Sequence, residues 1–177
     1  MLKRSNFVFK GLHIMAWVIF VGLSIEAGGL IVNFIFSLYK PEFIPNLYQK
    51  LDLTELYNLN KWAFFGIYAF ILTISLLKAS LFYLLILLVS KLDLSKPFNS
   101  YVSGRITRIS YLILSIGLIS YIARETVKST QHLFEINRLN PFWEDSQAYI
   151  LMAAVVYVIA TIFSRGVEIQ NENDLTV

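Results

Sequence analysis

The chain has 177 residues, a formal net charge of +3 and no cysteine; 56% of its residues are hydrophobic and only 15% are charged. Soluble domains are about 45–50% apolar and about 25% charged, so this composition excludes a soluble or disordered chain and predicts a membrane protein. The lack of cysteine excludes disulfides and thiolate metal sites, and the small net charge argues against direct binding to nucleic acid.

Long apolar runs predict an all-α chain that crosses the membrane four times. A span needs about 20 predominantly apolar residues, and runs of at least that length lie at about 12–38, 62–90, 106–130 and 143–164. The first run is too long for the apolar region of a signal peptide and is interpreted as a retained anchor. Because the spans use most of the length, residues 1–177 are interpreted as a single integral membrane domain.

Breaker residues mark the connections between these spans. Pro41 ends the first helix, because proline cannot continue it. The first connection, residues 40–60, alternates apolar and polar side chains; it is either an amphipathic helix on the membrane surface or a connector packed over the mouth of the bundle. Asn140 and Pro141 predict the start of the last helix, and Gly166 predicts its end in a left-handed cap.

The distribution of charge predicts the orientation of the spans. An even number of spans puts both termini on one side, which then holds eight bases and four acids, against six bases and seven acids on the other side. Basic residues are enriched in the cytoplasmic loops of membrane proteins. The predicted fold is therefore a transmembrane four-helix bundle with both termini in the cytoplasm.

Polar and ionisable side chains in or next to the apolar runs are the candidate functional residues, because a charge at the bilayer centre costs at least about 2.5–3.5 kcal/mol. The predicted intramembrane polar cluster comprises Glu26, Asn33, Lys78, Arg124 and Glu125. Glu26 shares a helix face with Gly22, and the small residue predicts the close approach of another helix. Gly117 begins a similar stripe on the third span.

Two bases compete for the Glu26 carboxylate. If each span is centred on its own apolar run, Glu26 and Lys78 lie near the same depth. If the spans are aligned at their loop ends, Glu26 lies level with Arg124, and Lys78 extends toward the cytoplasm. The arginine fork suits a carboxylate in a low dielectric, which favours Arg124 slightly. Such a pair is either a structural lock on helix register or part of a proton, ion or ligand pathway.

No set of residues with catalytic or cofactor-binding spacing is apparent in the sequence. His13 and His132 lie near opposite ends of their spans, so one cofactor cannot be held by both. No metal-ligand spacing, glycine-rich phosphate loop or nucleophile motif is present. We therefore predict no catalytic residues, no metal and no cofactor, and a protein that is not an enzyme.

Charged residues on the predicted cytoplasmic side suggest a second set of contacts. The bases Lys96, Arg105 and Arg108 are candidates for binding anionic lipid head groups, with a role in topology alone as the alternative. The same bases face the acidic tail, and we predict that the tail folds back onto the second connection. The acids of this tail are Glu168, Glu172 and Asp174.

The tail also carries a family resemblance. Residues 165–177 read RGVEIQNENDLTV, and the chain has Lys96-Pro97-Phe98 ahead of a basic helix start at residues 105–109. These features resemble domain-of-unknown-function family 2975. The resemblance implies a four-span protein of the bacterial cytoplasmic (inner) membrane with no established activity. Members are often encoded beside a small helix-turn-helix regulator, which implies a part in regulation or stress response.

These observations lead to two functional hypotheses. The first is a non-enzymatic regulatory or interaction protein, whose partners are the lipid bilayer and another membrane or regulatory protein. The alternative is a small transporter or ligand-binding membrane protein that uses Glu26, Lys78 and Arg124. The sequence does not indicate an oligomeric state.

Overall fold

The structure, a computed structural model, describes residues 2–46, 53–92, 98–130 and 137–175, and every regular element in these ranges is helical. The α-helices are α1 (Leu2–Tyr39), α2 (Thr54–Leu59), α3 (Lys61–Ser90), α4 (Ser100–Thr130) and α5 (Ser146–Leu175). Two short 3-10 helices, Pro41–Asn46 and Asn137–Phe142, follow α1 and precede α5.

Of the five described α-helices, four are long and apolar enough to cross a membrane. The candidate spans are Phe7–Tyr39, Lys61–Ser90, Ser100–Ser129 and Ser146–Asn173. This confirms the predicted all-α class and the four candidate spans, and it makes the chain a multi-pass membrane protein. The 30 residues of α5 extend for about 45 Å, more than the hydrocarbon core of about 30 Å, so α5 tilts or extends past the core.

The end of α5 corrects the prediction made from Gly166. The helix continues through this glycine to Leu175. A Cβ atom at Gly166 would lie 2.5 Å from Cδ1 of Phe98, and the Phe98 ring also contacts the ring of Phe163, with 5.3 Å between centroids. Glycine stands here because an aromatic ring packs directly on the helix backbone, not because the helix ends.

The start of α5 also differs from the prediction. Pro141 belongs to a 3-10 helix, residues 143–145 form a turn, and α5 begins at Ser146. The Trp143 side chain is buried, and its carbonyl accepts a hydrogen bond from the Ser146 N–H at 3.2 Å. Burial of Trp143 in the largest apolar cluster therefore holds this segment against the helices, and the span begins three residues later than residue 143.

The seam between α1 and α3 follows helical periodicity. Buried residues recur on α1 at spacings that place them on one face, namely Ala16, Ala27, Leu30 and Ser37. The Tyr68 hydroxyl of α3 donates a hydrogen bond to the Leu30 carbonyl at 2.9 Å, and the rings of Phe20 and Tyr83 lie 5.8 Å apart. Since the later residue of α1 contacts the earlier residue of α3, the two helices are antiparallel.

Among the described helices, α4 and α5 share the largest interface, and Gly117 lies where α4 meets the beginning of α5. A Cβ atom at Gly117 would lie 2.7 Å from Cγ1 of Ile150 and 2.9 Å from the Ile150 backbone nitrogen. The predicted close approach of a helix at this small residue is therefore confirmed on α4. On α1, by contrast, a Cβ at Gly22 would meet no atom within 4 Å, so the described part of the chain brings no helix close to it.

Extensive helix contacts follow chain order: α1 with α3, α3 with α4, and α4 with α5. Helices α1 and α5 lie at the two edges. In the most apolar 18-residue segment of each of these helices, 11% is buried, against 28% in α3 and 44% in α4. We call the end where α1 begins and α3 ends the N-terminal end of the assembly, and the other the opposite end.

Short helix α2 closes the opposite end. Leu56 is buried in the largest apolar cluster, and the Tyr57 ring packs edge-on against Phe64 at 5.3 Å. The Asn60 side chain accepts hydrogen bonds from the first N–H groups of α3 at 3.0 and 3.2 Å, which is a typical N-cap. The described part of the first connection thus resembles the packed connector more than a helix lying on the membrane surface.

Candidate functional site: polar residues and cavities of the membrane helices

Glu26 lies beside the seam of α1, not within it. One residue step turns a helix by 100°, so Glu26 is one step away from the buried Ala27 and is itself partly buried. Among the described side chains, the ion pairs are Lys128–Glu125 at 2.8 Å and Arg165–Glu168 at 2.7 Å. Glu26 therefore forms no ion pair with any residue that the structure describes.

Helix register places Glu26 next to Lys78. The contacts from Leu30 to Tyr68 and from Phe20 to Tyr83 put Glu26 level with about residues 72–77 of α3, within about 9 Å of Lys78 along the helix axis. Helix α1 packs extensively on α3 and has no comparable contact with α4 in the described ranges. The packing thus differs from the sequence-based preference for Arg124, because α3 lies between α1 and α4.

The Lys78 side chain extends toward α5. Its Nζ lies 5.8 Å from the centroid of the Tyr149 ring, and the carboxylates whose charges act on it are Glu26 and Asp145. Side chains of a helix lean toward its N-terminus, which here is the opposite end of the assembly. The Lys78 side chain therefore leans toward the opposite end of the assembly; which side of the membrane that end faces stays a prediction.

The remaining members of the predicted cluster are dispersed. Glu125 pairs with Lys128 one turn along α4, and both side chains are nearly half exposed, at 47% and 45%; such surface pairs contribute about 0–1 kcal/mol. Arg124 is partly buried. The Asn33 Nδ2 atom is buried, and no described residue accepts its hydrogen bond. The structure thus brings Glu26 near Lys78, while Glu125 pairs within its own helix.

Basic residues at the N-terminal end contact an aromatic ring. The Lys91 Nζ and the Arg105 Cζ each lie 5.1 Å from the centroid of the Tyr101 ring, which is the geometry of cation–π interactions. The Tyr101 hydroxyl donates to the Leu87 carbonyl at 3.5 Å. Arg108 is exposed, and Lys96 lies outside the described residues.

The predicted contact between the acidic tail and these bases involves residues outside the described ranges, and it stays a prediction. Glu168 pairs with Arg165 of its own helix, Glu172 is exposed, and the side chain of Asp174 is outside the described part. Helix α5 nevertheless approaches the residues that follow the second connection, through Phe98 on Gly166. The contact described at this point is apolar, and the contact between acids and bases remains untested.

A small cavity beside His13 was not predicted from the sequence. The cavity measures about 440 Å³ and is lined by Phe9, Lys10, His13, Ile14, Val89 and Ser90. The Nε2 of His13 accepts a hydrogen bond from Trp17 Nε1 at 3.1 Å, whereas its buried Nδ1 has no partner among the described residues. The spacing of His13 and Trp17 by four residues indicates their contact, but the cavity depends on α3.

A larger apolar groove adjoins this cavity. It measures about 570 Å³, with α4 as its floor, α3 and α5 as its walls, and Phe9 of α1 at its N-terminal end. The groove and the His13 cavity share Phe9 and Val89. Lining residues come from four helices, so no local sequence pattern indicates the groove.

Comparison with known proteins identifies a family of unknown function. Within the described residues, no three His, Asp or Glu side chains lie close enough together to hold a metal ion. No curated protein and no solved structure matches the chain. The model of the family described as "Protein of unknown function (DUF2975)" matches residues 46–177, a segment that holds α2 to α5 and leaves α1 outside. Because this match covers well over half of the chain, the protein belongs to the DUF2975 family, the domain-of-unknown-function family that its tail resembles.

Proposed function

We propose that the protein is a non-enzymatic interaction protein of the bacterial cytoplasmic membrane. In this proposal both termini lie in the cytoplasm, the four spans form a bundle in the bilayer, and α1 binds a transmembrane helix of another membrane or regulatory protein. The observation that supports it is the polar stripe of α1, defined as Gly22, Glu26 and Asn33, which no described helix covers at Gly22.

Unsatisfied polar groups on an edge helix favour a partner. The Glu26 carboxylate has no ion pair and the Asn33 amide no acceptor among the described residues. A buried polar group without a partner costs about 1–3 kcal/mol. A helix that approaches at Gly22 and presents a donor to Glu26 would satisfy the carboxylate.

The charge of Glu26 favours a partner of different sequence over a second copy of this chain. Two parallel copies of α1 would bring two Glu26 side chains together, and like charges at close range disfavour ionisation of both. A foreign helix with a basic or amide side chain at the same depth has no such conflict. We therefore propose a heteromeric complex.

Site-specific photocrosslinking tests this proposal in cells that produce the full chain. A photoreactive residue replaces Gly22, and as matched control Val21, which is 47% exposed and points about 100° away. We expect position 22, but not position 21, to crosslink one membrane protein, and we expect Glu26→Leu to abolish that crosslink at unchanged protein level. Equal crosslinking from both positions, or a crosslink indifferent to Glu26→Leu, would contradict the proposal.

A further inference from the structure

Two adjoining spaces at the N-terminal end differ in chemistry. The groove is lined by apolar side chains and Tyr149, whereas the smaller cavity presents Lys10, His13 and Ser90. Since the two share Phe9 and Val89 as lining residues, they lie side by side, an apolar space next to a polar one. A molecule that fills both must be amphiphilic.

The polar part offers donors to an anion. In a neutral imidazole one ring nitrogen accepts and the other donates. The His13 Nε2 accepts from Trp17, so Nδ1 carries the proton, and this donor is buried without a partner among the described residues. Lys10, one turn earlier on the same helix, adds a positive charge to the same cavity. Because the Nδ1 atom is itself buried, an anion in the cavity meets Lys10 and not this donor, and no described carboxylate lines the cavity.

More positive charge surrounds this end of the groove. In the chain, Lys91 and Arg105 are close neighbours of groove residues. Both side chains lie over the Tyr101 ring. Neither forms an ion pair with a carboxylate in the described ranges. Basic pockets between membrane helices are typical binding sites for anionic lipid head groups.

The apolar part has the length of a lipid chain. Along α5 the groove runs from Tyr149 to Phe163, which is about 21 Å at 1.5 Å per residue. One leaflet contributes half of the hydrocarbon core of about 30 Å, or about 15 Å. An extended acyl chain of one leaflet therefore fits along the groove.

We propose that this composite site binds one anionic phospholipid. Its phosphate lies in the cavity between α1 and α3 and accepts hydrogen bonds from Lys10, while one acyl chain lies in the groove between α3 and α5. A free inorganic anion would use only the cavity, and an uncharged hydrocarbon only the groove. The proposal is separate from the protein partner of α1, since it concerns other residues and another ligand.

The head-group part is tested with the full chain, purified in detergent and stripped of lipid. Native mass spectrometry measures binding of phosphatidylglycerol and, for comparison, of phosphatidylcholine. We expect phosphatidylglycerol to bind more tightly than phosphatidylcholine, and we expect Lys10→Gln to weaken its binding about fivefold. Lys40→Gln, a lysine just past the other end of α1, is the matched control and should change nothing. Equal binding of both lipids, or equal effects of Lys10→Gln and Lys40→Gln, would overturn the assignment.

The groove is tested by blocking it. Leu88→Trp places a bulky ring in the groove, whereas Leu76→Trp makes the same change on the exposed face of α3, where Leu76 is 42% exposed. We expect only Leu88→Trp to reduce lipid binding. Because that variant could fold poorly, wild-type protein is also crosslinked to phosphatidylglycerol with a photoreactive acyl chain. Labelling of Ile106 and Val156 supports the proposal, and labelling confined to exposed residues such as Val18 and Val158 refutes it.

Discussion

Side chains of α1 combine partial burial with missing partners. Glu26 has no ion pair, and Asn33 and His13 each hold a buried nitrogen that no described residue bonds. Glu26 was predictable from sequence, because a carboxylate in an apolar run is visible without a structure. The base that lies nearest Glu26 was not predictable, because the choice between Lys78 and Arg124 depends on which helix packs on α1. The cavity beside His13 was likewise not predictable, because α3 forms one of its walls.

Replacement of Glu26 distinguishes a structural role in fixing helix register from a role in a proton or ion pathway. Glu26→Gln keeps the shape and removes the charge, and because no base contacts the carboxylate, we expect the free energy of unfolding to change by less than about 1 kcal/mol. Thermal unfolding in detergent measures this, with Glu125→Gln as a control at an exposed carboxylate. A loss of 3–5 kcal/mol, as for a broken buried ion pair, would reveal a lock. Loss of proton or ion flux in liposomes with the fold intact would instead support the transporter alternative.

Two glycines mark close contacts of the helices, Gly117 of α4 with α5 and Gly166 of α5 with the ring of Phe98. The four spans were predictable because length and apolarity are local properties of each segment. The path of α5 through Gly166 was not, because it depends on the ring of Phe98, which lies before α4 in the chain. Glycine in a sequence has two common meanings, a helix end or a close approach, and the residue that packs against it decides between them.

A methyl group at Gly117 should separate α4 from α5. The added Cβ would lie within 3 Å of the Ile150 side chain and backbone, and a backbone atom cannot move aside cheaply. We expect Gly117→Ala to destabilise the protein by about 1–3 kcal/mol, measured by thermal unfolding in detergent. Gly104→Ala, on the same helix with nothing within 4 Å, is the matched control and should be neutral or stabilising, since alanine favours helices. Similar losses in both variants would contradict this account.

A methyl group at Gly166 should disturb only the contact with Phe98. We expect Gly166→Ala to destabilise α5 by about 1–3 kcal/mol, and we expect Phe98→Ala in the same chain to remove much of that loss, because the ring is then no longer in the way. Residues in contact show such non-additive effects. Unfolding measurements on both single variants and the double variant test it; strictly additive losses would show that the two residues do not meet.

In the whole assembly, the order in which the helices pack and the side of the membrane that each end faces depend on different properties. The order of contacts, α1 on α3, α3 on α4 and α4 on α5, follows the chain, and the groove arises where α3 and α5 stand on either side of α4. Composition alone could not predict this groove, because its lining is assembled from residues far apart in the chain. Sidedness is set by charge, and there the sequence is the stronger guide.

The bases at the N-terminal end predict that this end faces the cytoplasm. Lys10, Lys91, Arg105 and Arg108 lie there, and the anionic cytoplasmic leaflet attracts each such base by about 1 kcal/mol. A reporter enzyme active only in the cytoplasm should be active when fused after the C-terminus and inactive when fused after Asn60. Glutamate in place of all four bases should weaken this preference, whereas the same change at Lys40 and Lys61 should strengthen it. An active fusion after Asn60 in the unaltered chain would reverse the topology and place the proposed lipid site in the outer leaflet.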